Sequence, residues 1–197
     1  MTSLVRRASQ IALLALMVVL APSSWSQAPE SPAVLMAKQR EAMAQLSFMD
    51  GAWRGSAWNV DPTGKRHEVT QTERVGSFLD GTVRVIEGRG YNTDGTAGFQ
   101  ALAVLSYDLN KKAWVMRSWA QGRTGEFAFV PTADGFVWTG PAGPNATVRY
   151  TAVIKGDTWR EIGEYIREGS EPRQVFEMNV RRMGSSQWPE EGAIPMK

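Results

Sequence analysis

From Gly51 to Met183 apolar and polar residues alternate with a period of two, and almost no helical spacing interrupts them. That period is the mark of strands with one face toward a core. Val148, Tyr150, Ala152 and Ile154 alternate with Thr147, Arg149 and Thr151, while Phe176, Met178 and Val180 alternate with Glu177, Asn179 and Arg181. The pattern predicts about ten strands, over 53–59, 66–75, 82–91, 99–108, 113–120, 125–131, 136–140, 147–155, 158–167 and 173–183. The breaks carry turn chemistry: Asp61-Pro62-Thr63-Gly64, Asp80-Gly81, Asp94-Gly95, Asp134-Gly135 and Gly156-Asp157. Asp accepts Asx-type turns and Gly accepts positive φ, so these are hairpin signals. Every connection is too short for a crossover helix, and consecutive hairpins of this kind close into an antiparallel barrel. The stretch Phe99 to Tyr107 is apolar on both faces, which leaves its orientation open.

One segment has a helical period instead. Ser31 is a suitable N-cap and Pro32 suits the first helical position. Leu35, Met36, Met43 and Leu46 then recur on one side as far as about Leu46, predicting a helix that packs on a barrel end. Ahead of it, Arg6-Arg7 and the apolar run Ile11 to Ala21 read as a secretory signal over 1–26, cleaved after Ser26. The organisation that follows is a signal (1–26), a linker and helix (27–47), a barrel (48–184) and an extended tail (185–197). The expected mature protein is soluble and periplasmic or secreted, without a membrane span.

Charge and composition narrow the classes of function. The chain has 22 Lys and Arg against 20 Asp and Glu, and loss of Arg6 and Arg7 with the signal leaves 20 of each. No basic stripe of the kind nucleic acids need is present, so nucleic acid is rejected as a partner. With no Cys, stability must come from packing rather than disulfides. The one His, His67, stands between Arg66 and Glu68 beside a turn and is read as an exposed strand-end residue. A zinc site wants several His or Cys ligands, and no Gly-x-Ser-x-Gly nucleophile motif occurs; no metal and no catalytic residue is assigned.

The inward phase of the strands supplies the candidate site. Glu161 is in phase with Trp159, Gly163 and Tyr165; Glu73 with Val69 and Val75; Glu87 with Val83 and Val85. A carboxylate inside a barrel demands a partner, for which Arg89, Arg117 and Arg182 are candidates. The expected ligand-binding set is Glu87, Arg117, Phe127, Phe129, Trp138, Tyr150, Glu161, Tyr165 and Met178. Gly88-Arg89-Gly90 lies within a strand and precedes no helix, so it marks a bend and not a phosphate loop.

Several short motifs recur in a recognisable order: Gly51-Ala52-Trp53-Arg54-Gly55, Thr72-Glu73-Arg74-Val75, Phe78-Leu79-Asp80-Gly81-Thr82, Ser106-Tyr107-Asp108-Leu109-Asn110-Lys111-Lys112 and Glu177-Met178-Asn179-Val180-Arg181-Arg182. Their order and spacing resemble the DUF1579-type lipocalin-like bacterial proteins, a family of unknown function, over about Leu46 to Met183. The resemblance implies a calycin-like barrel in which Trp53 packs beneath Arg182 to close the base, a structural role; it assigns no catalytic residue. Nitrobindin-type barrels resemble the same scaffold and bind haem through a late His. This chain has no His there, so haem through His67 is discounted and no cofactor is expected.

The fold class expected is therefore all-β: a single antiparallel up-and-down barrel of about ten strands, calycin-like, with one N-terminal helix on a barrel end. The function expected is non-catalytic binding of a small apolar or amphipathic ligand. The alternatives are an enzyme using interior Glu, Arg or Tyr groups, and a protein-interaction module whose barrel is filled by its own side chains. Oligomeric state is not read from the sequence.

Overall fold

The structure, a computed structural model, describes residues 30–61 and 63–186. The expected signal peptide, its cleavage position and most of the expected tail lie outside the described residues. Helix α1 spans Pro32–Ala44. Ten strands follow: β1 Gly51–Val60, β2 Arg66–Phe78, β3 Val83–Tyr91, β4 Ala97–Asp108 and β5 Ala113–Ala120, then β6 Arg123–Thr132, β7 Gly135–Pro141, β8 Ala146–Lys155, β9 Thr158–Arg167 and β10 Arg173–Gly184. Each pairs antiparallel with the next, and β10 pairs with β1, so the sheet closes into an up-and-down barrel of ten strands. The expected fold class is what the chain forms.

The helix departs from expectation in one respect. Ser31 caps it by accepting from the Val34 amide at 3.4 Å. Its apolar residues divide, however: Met43 is sealed, whereas Leu35 and Met36 stay exposed. The helix also ends at Ala44, after which a single 3-10 turn at Ser47–Met49 leads into β1. The second half of the helix therefore reaches the barrel: Gln39 donates to the Tyr107 carbonyl at 3.1 Å, and beyond it Met43, Leu46 and Met49 meet Trp53, Val75 and Leu105. Burial of these side chains stabilises the closure by about 1.5–3 kcal/mol each.

Two inward-facing arginines secure the same end, which is the barrel base. Arg84 on β3 is 4% exposed and donates to both carboxylate oxygens of Asp50, at 2.6 and 2.9 Å, and to the Met43 carbonyl at 2.7 Å. Arg182 on β10 lies over the Trp53 ring, 4.0 Å from its centroid. It also donates to the Phe48 carbonyl at 3.0 Å, to the Asp50 carbonyl, and to the Asp157 carboxylate at 3.1 Å. Trp53 in turn donates from its indole to the Met49 carbonyl at 3.0 Å and meets Trp159 edge to face.

The two halves of the interior differ. Near the base, Trp53, Leu105, Phe129, Phe136, Trp159 and Val180 are all buried. Toward the other end, the inward-phase residues Phe127, Trp138, Tyr150, Tyr165 and Phe176 are only partly buried. A side chain pointing into a closed barrel meets solvent only through the interior or its mouth. Toward the upper end, opposite the helix, the interior is thus lined by partly exposed aromatic rings, a region termed the cup, and the lower half is mostly packed core.

Candidate functional site

The cup owes its form to the alternation of β6 to β10. Phe127 on β6, Trp138 on β7, Tyr150 on β8 and Phe176 on β10 share the inward phase with buried neighbours two residues away. Trp138 and Tyr150 stack with centroids 4.0 Å apart and planes within 5°. Phe127 meets Trp138 edge-on at 5.2 Å, and Phe176 meets Tyr150 at 5.4 Å. Gly163 on β9 makes the stack possible, because a Cβ there would come within 2.5 Å of the Tyr150 ring.

Below these rings sits a polar floor. Glu161 on β9 is 7% exposed. One carboxylate oxygen accepts from the Trp138 indole at 3.0 Å and the other from the Trp159 indole at 3.2 Å. Burial pushes its carboxyl up to about 7, although both indole donors work in the opposite direction. Glu73 on β2 is the second acid. Burial raises it to about 8, opposed by the Gln71 side-chain amide, which donates at 2.7 Å, and reinforced by the charges of Glu161 and Glu87. Burial and the charge of Glu161 together raise Tyr150 to about 12. Among the described residues, no Lys, Arg or His forms an ion pair with Glu73 or Glu161.

Gly88 on β3 gives Glu73 its place, since a Cβ at Gly88 would lie 2.9 and 3.0 Å from the two carboxylate oxygens. Only the end of a flexible side chain stands in the way, so Gly88→Ala is expected to fold. It should displace the carboxyl and break the bond from Gln71, at a cost of about 1 kcal/mol. The side-chain amide resonances of Gln71 check this, and unchanged shifts would contradict it.

The expected site residues separate into three groups. Glu161, Trp138, Tyr150, Phe127 and Tyr165 face the cup. Phe129 and Met178 also face inward but are 2% exposed; Phe129 stacks on Phe136 at 4.9 Å within the packed core, and Met178 lies opposite Glu161 in the β9–β10 register. Glu87 and Arg117 do not belong to the interior. The inward row of β3 is Arg84, Ile86, Gly88 and Gly90, which turns Glu87 to the outer wall. There it pairs with Arg74 at 2.7 Å and Arg89 at 2.6 Å, and Arg89 followed by Arg74 hold its carboxyl below the usual carboxylate range against partial burial. Arg117 is turned outward by its buried neighbour Met116 and pairs with Glu126 at 3.0 Å, both well exposed. Of the cations named as partners for an interior acid, Arg89 and Arg117 are thus outside and Arg182 is committed to the base.

Gln71 is the site residue that sequence reasoning missed. It is 4% exposed and shares the phase of Val69, Glu73 and Val75, so an amide two residues from an in-phase acid was the available signal. His67 stands at the turn, with its ring Nε2 2.9 Å from Asp61 Oδ2 and its side chain 44% exposed. Bonds from Thr63 and His67 hold the Asp61 carboxyl well below the usual carboxylate range. Among the described residues, no three His, Cys, Asp or Glu side chains are grouped to hold a metal ion. Among the described residues, a groove of about 270 Å³ runs along the outer face of β1 and β2, where Arg66 covers Trp58 at 4.3 Å, and another of about 410 Å³ opens at the base between α1 and the inward Tyr107 and Trp114.

No family model matches the chain, and no curated protein matches it. Among solved structures, it is similar to the crystal structure of Rv2717c from M. tuberculosis, with a TM-score of 0.55 and 12% sequence identity. The likeness covers 72% of this chain and 97% of that one. At this identity it concerns the barrel fold alone.

Proposed function

We propose that the barrel is a binding protein whose cup holds one small amphipathic molecule without transforming it. The observation that carries this is that Phe127, Trp138, Tyr150, Tyr165 and Phe176, inward in phase toward the upper end, are only partly buried, whereas Trp53, Phe129, Phe136 and Trp159 below them are sealed. The apolar body of the ligand packs against Phe127, Tyr150 and Phe176, and its polar end reaches the floor at Glu161. Apolar walls with a few fixed polar groups are what small-molecule sites generally have. Export belongs to the same proposal and is supported by the charged and apolar pattern of residues 1–26.

A neutral fluorescent probe, N-phenyl-1-naphthylamine, tests the cup. The protein should bind it at one site, and Ser118→Trp, which places a large ring on the inward face of β5, should weaken binding by about tenfold or more. Absence of binding, or equal binding by a folded Ser118→Trp protein, would refute the proposal. Native mass spectrometry of protein purified from its own cells then identifies any molecule that travels with it.

A further inference from the structure

Resting on the binding role just proposed, we infer that the polar end of the ligand carries a positively charged nitrogen, seated between the carboxyl groups of Glu73 and Glu161 beside the Trp138–Tyr150 stack. Three observations lead there. The side chain of Glu161, 7% exposed, is oriented by two indole donors and has no counter-cation among the described residues. Of the cations on the inward phase, Arg84 and Arg182 are held at the base by Asp50, Asp157 and backbone carbonyls, and Arg173 lies exposed at the rim, its guanidinium 5.9 Å from the Tyr165 ring centroid, away from the floor. The wall above the acids is aromatic, and ring faces attract cations while adding no competing charge.

An anionic headgroup at the floor would face two carboxyl groups with no cation paired to either among the described residues. A neutral one would leave the two acids to neutralise themselves by holding protons, since two like charges in a buried site disfavour each other. A cation supplies the missing partner, and burying paired charge is far less costly than burying it alone. The titratable groups facing Glu161 are Glu73 from β2 and Tyr150 from β8; those near Glu73 are Glu161 and, from the outer side of β3, Glu87. Trp138 from β7, Met178 from β10 and Gly88 from β3 complete the surroundings without charge. Because burial raises both carboxyls, Glu161 to about 7 and Glu73 to about 8, a cation binding near or below neutral pH must expel protons, and its affinity rises with pH.

The test compares three ligands with one decyl chain: decyltrimethylammonium, decanol and decanoate, each below its micelle concentration and titrated by calorimetry. At about pH 9 the ammonium should bind about tenfold or more tightly than the alcohol, with the carboxylate weakest. At about pH 5.5 that preference should shrink to about twofold, while the affinity for the alcohol stays nearly constant. Glu73→Gln and Glu161→Gln should each reduce the preference for the ammonium over decanol by about threefold or more at about pH 9. Glu161→Gln sets an amide against an indole donor and risks the fold; Glu73→Gln does not meet those indoles and keeps the test decisive. Decanol or decanoate binding as tightly as the ammonium at high pH overturns the charge assignment and leaves the cup standing. Failure of all three to bind overturns both.

Discussion

Replacing Trp53 with alanine is expected to cost the fold about 4 kcal/mol, read as a fall in the urea midpoint and a drop of about 10 °C in Tm. Trp53 is 1% exposed, and three elements of the base meet on it. Its indole N–H ties the 3-10 turn through Met49, its ring packs edge to face with Trp159 on β9, and Arg182 of β10 covers its face. Truncation opens a cavity and leaves the Arg182 guanidinium without its platform. Against a total stability of about 5–15 kcal/mol for an ordinary domain, that loss is severe. Arg182→Lys should be milder, at about 2 kcal/mol, because an ammonium cannot stack and serve several acceptors in one plane. A Trp53→Ala protein within about 1 kcal/mol of the parent would show that the helix end, and not the Trp–Arg pair, closes the base.

Stability should fall as the solution is made more alkaline, the reverse of the usual acid sensitivity. Glu161 and Glu73 have carboxyls raised above the ordinary value of 4.5, to about 7 and about 8. The folded protein therefore holds their protons more tightly than the unfolded chain does. The resulting stabilisation is complete below the ordinary value and is lost as pH rises through about 7 and then about 8. For Glu161 alone the loss is on the order of 3 kcal/mol, and Glu73 adds to it in the same direction. Asp61, Asp94, Asp108 and Glu177 are shifted the opposite way, but their contributions are lost only in acid, below the ordinary carboxylate range. Urea unfolding at a series of pH values from about 5 to about 9 measures the slope. The double variant Glu73→Gln, Glu161→Gln should flatten it; a parent protein equally stable across that range would contradict the assignment.

Strand number and inward phase were legible wherever one face is plainly apolar. Glu161 could be placed inside because Trp159, two residues before it, could hardly face water, and the same logic fixes Tyr150 between Val148 and Ala152. On β3 that logic fails. Val83 and Val85 occupy one phase, while the other holds Arg84, Ile86 and two glycines, so hydrophobicity favours the wrong face. What decides it is Arg84 reaching Asp50 and Met43, a tertiary contact that no local pattern encodes. Arg117 was misplaced for a related reason: its strand carries large apolar residues on both faces, with Trp114 and Met116 inward and Trp119 out. The helix shows a third limit. Leu35 and Met36 have the right spacing, but the barrel end receives the second half of α1, from Gln39 on, and leaves them exposed.

The pairing of the first strand with the last has a kinetic side. Arg182 donates to a carbonyl 134 residues earlier in the chain, and the register sets Trp53 opposite Arg182. During synthesis or refolding, β1 can find β2 at once, yet its second partner arrives only when almost the whole barrel is available. Closure thus waits on a loop nearly as long as the domain, a topology that folds slowly, in about milliseconds to seconds. Until then β1 and the latest strand formed present unpaired N–H and C=O groups, the kind of edge on which chains aggregate. The final strand acts as a latch, and a chain cut before Arg173 would leave both β1 and β9 as open edges, prone to pair with another copy.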